Sequence, residues 1–149
     1  MKTQLFAAYA INTNQAYMKQ RFPEAKAVAK SWIYDHKLVF QGNTAGGVAT
    51  IQPAEGFYVP VVIWEMGEKE MDLLNKFKGI RTGTFKKRKM DLEVNGEIKP
   101  VFVYTLPKKY PFTAPNDDYL ALIAEGYKDF NFPIDILNEA TKQAKYPWY

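Results

Sequence analysis

Apolar and polar positions change period several times along the chain, and each change marks an element. Leu5 to Tyr9 is a short apolar run followed by Asn12, Thr13 and Asn14, which reads as a buried first strand and a loop. Asn12 or Thr13 is placed to cap a short helix carrying Tyr17, Met18 and Arg21. "RFPEA" ends that helix, because the residue before Pro23 resists helical backbone angles. Strand signals recur at Lys37 to Gln41, Ala49 to Ile51 and Val59 to Met66, with "GNTAGG" and "QPAEG" reading as turns between them. The last of these strands is almost continuously apolar, so it is expected to lie centrally with both faces covered.

The second half is more sharply punctuated. "EKEMDLLNKFKG" places Met71, Leu73, Leu74 and Phe77 near helical spacing, with acids at its start and lysines toward Gly79, which predicts a helix. "TFKKRKMDLEVNGEIKPVFVYTL" holds Asn-Gly between two strand-like runs and predicts a hairpin. Pro115, Asn116, Asp117 and Asp118 open a helix bearing Tyr119, Leu122, Ile123 and Tyr127. Pro133 begins a last amphipathic helix with Ile134, Leu137 and Ala140. Strands with helices interspersed, and no repeat or linker, imply one α+β domain over residues 1–149, a mixed, barrel-like sheet with flanking helices.

Composition narrows the chemistry. With 149 residues the chain can bury roughly two thirds of its unfolded surface, and a hydrophobic share of 47% argues against disorder. The absence of cysteine excludes disulfides, thiolate metal sites and a cysteine nucleophile, and the single histidine, His36, reads as a turn residue before a strand. No metal and no cofactor is expected. Catalysis, if any, falls to Asp, Glu, Lys, Tyr or backbone groups. No apolar run reaches the ~18 residues of a membrane span, and "MKTQLFAAYA" is too short and badly flanked for a signal peptide, so a cytoplasmic protein is expected. A net charge of +4 leans toward an anionic partner without demanding nucleic acid. Arg81, Lys86, Lys87, Arg88 and Lys89 cluster within one short stretch, which as a bare pattern is a solvated strand face.

Several segments then fall into a known order. "YAIN" at Tyr9 to Asn12, "MKQRFPEA" at Met18 to Ala25, "KLVFQG", "ATIQPAEGFYVPVVIWEM", "LNKFKG" at Leu74 to Gly79, "VFVYTL" and "DDYLALIAEGYKDFNFP" follow one another along nearly the whole chain. In order and spacing they resemble the gamma-glutamyl cyclotransferase-like family. The resemblance implies a cavity in which the loop after the first strand holds a glutamyl group through backbone amides. It also implies a glutamate, just before a glycine, that takes a proton from the substrate's alpha-amine. That amine then attacks the gamma-carbonyl and 5-oxoproline leaves, a reaction that needs both a proton acceptor and donors for the oxyanion.

This chain departs from the family pattern at those positions. Lys78 stands where the resemblance puts the glutamate, and at an ordinary lysine pKa of ~10.4 it cannot accept that proton at neutral pH. Ala10 and Ile11 replace a glycine and a serine of the loop, and Phe85 replaces a tyrosine, while Tyr9 and Asn12 remain. A lysine in the last turn of a helix is also favoured by the helix dipole and can simply be solvated there. If it points inward, the cavity repels an amine and attracts a carboxylate, phosphate or nucleotide, with Tyr9, Ala10, Ile11, Asn12, Lys78, Arg81, Phe85 and Tyr119 as its expected lining. The expectation is therefore a small-molecule binding protein with an anionic ligand. Two alternatives stay open: an active cyclotransferase with another base, for which Glu65, Glu55 or a Lys78 of depressed pKa are the candidates, and an interaction module that uses the basic hairpin.

Overall fold

A computed structural model describes residues 3–42, 46–107 and 109–146. Its strands are β1 (Thr3–Ala8), β2 (Lys26–Gln41), β3 (Val48–Gly67), β4 (Lys86–Val94) and β5 (Glu97–Thr105), and its helices are α1 (Gln15–Arg21), α2 (Glu68–Phe77), α3 (Asp117–Asp129) and α4 (Ile134–Lys145). One 3-10 turn, Ile11–Thr13, separates β1 from α1. The strands form a single mixed sheet in the order β2-β3-β1-β5-β4, with β1 parallel to β5 and every other pairing antiparallel.

The sheet is barrel-like without being closed. Its edge strands meet through side chains instead of a ladder: Ser31 Oγ donates to the Glu93 carbonyl at 2.7 Å, and Asn95 Nδ2, just past β4, donates to the Val28 carbonyl at 3.1 Å. Inside the curl β3 is buried from Val59 to Trp64, and Val59, Val61, Val62 and Ile63 have no exposed surface, as continuous apolar sequence predicts for a covered central strand. No helix among the described residues is long and apolar enough to cross a membrane.

The hairpin and the three later helices stand where the pattern puts them. Four readings change. Asn14, not Asn12 or Thr13, caps α1, its Oδ1 accepting from the Tyr17 N–H at 3.0 Å, because Asn12 and Thr13 are taken up by the 3-10 turn. β2 begins at Lys26 instead of Lys37, and its outer positions are half-covered by α4, which erases the alternation that marks a strand. His36 is within β2, opposite Pro53, and not in a turn. "QPAEG" is likewise inside β3: Gly56 (φ +85°) lies beside Asp35 (φ +57°), whose Oδ1 accepts the Gly56 N–H at 3.1 Å, near a register shift between Tyr34 and His36. The turn-forming residues here make a bulge. The "GNTAGG" turn falls largely on residues 43–45, outside the described residues.

Candidate ligand cavity

Two backbone devices build the site. Where β1 ends, Thr13 folds back on Ala10, its N–H and Oγ1 reaching the Ala10 carbonyl at 2.9 and 2.6 Å. Trp64 Nε1 on β3 pins the same loop by donating to the Asn12 carbonyl at 2.8 Å. The N–H groups of Ile11 and Asn12 precede the first intrahelical bond of this turn. Helix α3 crosses directly over it at Gly126, where any Cβ would collide with Thr13 Oγ1.

The second device ends α2. Gly79 (φ +64°) donates to the Lys76 carbonyl at 3.1 Å and Ile80 donates to the Asn75 carbonyl at 3.2 Å, the paired bonds of a helix stopped by a left-handed glycine. Lys78 is thus the last residue before the chain reverses. The Phe85 N–H then closes the loop onto the Lys78 carbonyl at 3.1 Å, bringing the Phe85 ring centre to 5.1 Å from the Lys78 ammonium, with the Tyr104 ring at 6.0 Å.

Between these devices lies a cavity of about 170 Å³. Among the described residues Lys78 is its one charged lining residue, and no carboxylate lines it. Among the described residues no acid lies within ion-pair distance of the Lys78 ammonium. The residue keeps some accessible surface through the opening, yet protein surrounds its nitrogen, and this burial lowers the ammonium pKa from 10.5 to about 8. The direction follows from desolvation, which disfavours a charge that has no counter-ion.

The tyrosines differ in what their hydroxyls have left to give. Tyr9 donates to the Tyr104 carbonyl at 2.5 Å, and the Tyr104 hydroxyl donates to Asn75 Oδ1 on α2, so both hold the walls together. Tyr119 instead accepts the Ala49 N–H at 3.0 Å, which leaves its own proton for another acceptor. Burial raises the pKa of all three, that of Tyr119 to about 12.

Of the residues expected at the site, Tyr9, Ala10, Ile11, Asn12, Lys78, Phe85 and Tyr119 line this one cavity, and Arg81 does not. Arg81 is exposed on the loop between Gly79 and Phe85, where the left-handed turn carries it away from the opening. Sequence reasoning missed Tyr17 and Phe77 as lining residues, and it missed Arg21, whose guanidinium lies 4.7 Å from the Tyr17 ring centre and 5.5 Å from that of Phe77 without lining the cavity itself. Their signal was the i, i+4 spacing of Tyr17 and Arg21 on a short helix. Glu65 and Glu55 line no part of the cavity. The basic run divides: Lys86 and Arg88 join His36 around a separate concavity, whereas the Lys87 ammonium lies over the Phe102 ring at 4.2 Å. No cluster of three or more histidines and acids able to hold a metal occurs among the described residues.

No family model matches the chain. A gamma-glutamylcyclotransferase of Bos taurus is 27% identical over 139 residues, covering 88% of this chain and 73% of that protein. A solved gamma-glutamyl cyclotransferase superimposes with a TM-score of 0.84 at 24% identity, covering 93% of this chain and 86% of its own. The fold of the chain is gamma-glutamyl cyclotransferase-like. An uncharacterized protein from Homo sapiens gives the same TM-score of 0.84 at 24% identity, covering 94% of this chain and 87% of its own. In this fold, Lys78 lines the cavity between the β1 loop and the end of α2.

Proposed function

We propose that this protein binds a small anionic metabolite in the Lys78 cavity and does not release 5-oxoproline. One observation carries the reading: among the described residues the cavity's single charge is an ammonium, and no carboxylate lines the walls to accept a proton. A gamma-glutamyl substrate would bring its own alpha-ammonium to this place. Two like charges ~4 Å apart at an effective dielectric of 20 repel by about 4 kcal/mol, a loss of nearly a thousandfold in affinity. An anion gains from the same field. A volume of about 170 Å³ is well below the roughly 300–1,000 Å³ of pockets for drug-sized molecules, which favours a compact carboxylate or phosphate over a nucleotide.

Of the other candidate bases, Glu65 and Glu55 stand off the cavity, and a Lys78 with a pKa lowered to about 8 is still mostly protonated at pH 7 and repels the substrate's own ammonium. The basic hairpin draws less support as a docking face, because its charges point to opposite sides of β4. The test has two arms. Incubation with gamma-glutamyl amines is expected to yield no 5-oxoproline above the uncatalysed level. Calorimetry with small mono- and dicarboxylates and with inorganic phosphate is expected to show saturable binding that Lys78→Met abolishes. Turnover by the unaltered protein, or anion binding indifferent to Lys78→Met, contradicts the reading.

A further inference from the structure

An ammonium with no acid beside it raises a question that anion binding alone leaves open. Lys78 Nζ has two aromatic rings at the outer range of cation–π contact and no hydrogen-bond acceptor among the described residues. A charged nitrogen has three donors to satisfy, whereas the neutral amine offers a lone pair to whatever enters the cavity. In the lining of the same cavity, the Tyr119 hydroxyl accepts from the Ala49 N–H and keeps its own proton to donate. An enclosed amine, a hydroxyl with a free proton and a cavity that favours anions suit one chemical class.

We propose that Lys78 captures small 2-oxo carboxylic acids as a reversible imine. This rests on the inward, anion-attracting Lys78 of the preceding section and names the ligand's reactive group. The neutral amine adds to the ketone carbon, a C–N bond forms, and the carbonyl π electrons move to oxygen, which takes the Tyr119 proton. Of the two protons then on nitrogen, one restores the Tyr119 hydroxyl and the other is relayed to the carbinol oxygen, which leaves as water while the nitrogen lone pair completes C=N. The balance is amine plus ketone giving imine plus water, with no oxidant or reductant. Burial supports the step: with a pKa of about 8, roughly a tenth of the amine is neutral at pH 7, against less than a thousandth for an ordinary lysine. Desolvated lysines are activated for imine formation in this way.

The full-length protein is incubated with pyruvate or glyoxylate and sodium cyanoborohydride, then analysed by intact mass and peptide mapping. One reductive adduct per chain, located at Lys78, is expected. Lys78→Met and Lys78→Arg are expected to give none at that position. Tyr119→Phe is expected to slow trapping by about 100-fold, a larger loss than it causes in pyruvate binding by calorimetry measured without reductant. Adducts spread over surface lysines with none preferred at Lys78, or no adduct while pyruvate binds saturably and Lys78→Met abolishes that binding, overturn the imine and leave the anion site standing. Absence of both adduct and binding overturns the two together. Because Lys78→Met removes a desolvated charge, its loss of adduct is not a loss of folding, and a melting curve checks this.

Discussion

A lysine nitrogen enclosed by Phe85, Tyr104 and the cavity wall, with no carboxylate in reach, costs the fold stability for as long as it is charged. Its folded pKa of about 8 lies below the unfolded 10.5, so between these values the unfolded chain binds more protons. Stability therefore rises with pH across that window as the penalty is relieved. The four buried tyrosines, Tyr9, Tyr104, Tyr119 and Tyr127, act in the opposite sense, since their folded pKa values lie above 10.0 and the stability they lend is lost as pH climbs beyond it. Urea unfolding should show Lys78→Met more stable than the wild type by about 2 kcal/mol at pH 7, with the gap closing toward pH 10. A gap that is independent of pH would place the nitrogen in water. A bound anion should pull the Lys78 pKa back up, so affinity should fall as pH rises through 8. At this scale the sequence disclosed Lys78 as the altered position, but side-chain direction depends on the Schellman bonds after α2 and on the Phe85–Lys78 closure, which no periodicity encodes.

Elements set the cavity's shape, and two glycines hold the elements in place. Gly126→Ala inserts a Cβ into Thr13 Oγ1 and should push α3 off the β1 loop, destabilising by about 2 kcal/mol and weakening ligand binding through the displaced Tyr119. Chemical denaturation and calorimetry on the same variant would check both effects. Gly79→Ala should cost about 1 kcal/mol, since φ +64° must be kept and the new methyl meets Thr84. Elements with strong punctuation were legible: Asn-Gly between β4 and β5, the acids opening α2, and the aspartates opening α3. The first half of β2 was not, because Asp35 and Gly56 read as turn formers when they serve a bulge, and because α4 half-covers outward positions that would otherwise read as polar. Arg81 failed for a related reason. Sequence proximity to Lys78 is lost once the chain reverses at Gly79.

For the molecule as a whole, the curl of the sheet separates two sets of positive charge that sit close together in sequence. Lys78 faces the cavity, while the β4 lysines stand outside it. Reversing the exposed Lys86 and Lys89 to glutamate should therefore leave anion binding within twofold and stability within about 0.5 kcal/mol, as calorimetry and melting curves would record. Loss of binding in that variant would move the site to the hairpin. Raising salt should weaken binding only modestly, because an enclosed charge is screened less than a surface one. The account turns on the state of one nitrogen, and that state can be observed directly. In protein carrying carbon-13 at the lysine ε-carbons, with Lys78→Met to identify the resonance, the Lys78 signal should titrate with a midpoint near 8. A midpoint at the ordinary lysine value of ~10.4 would mean an ammonium in bulk water, and neither the reversed cavity nor the chemistry drawn from it would survive.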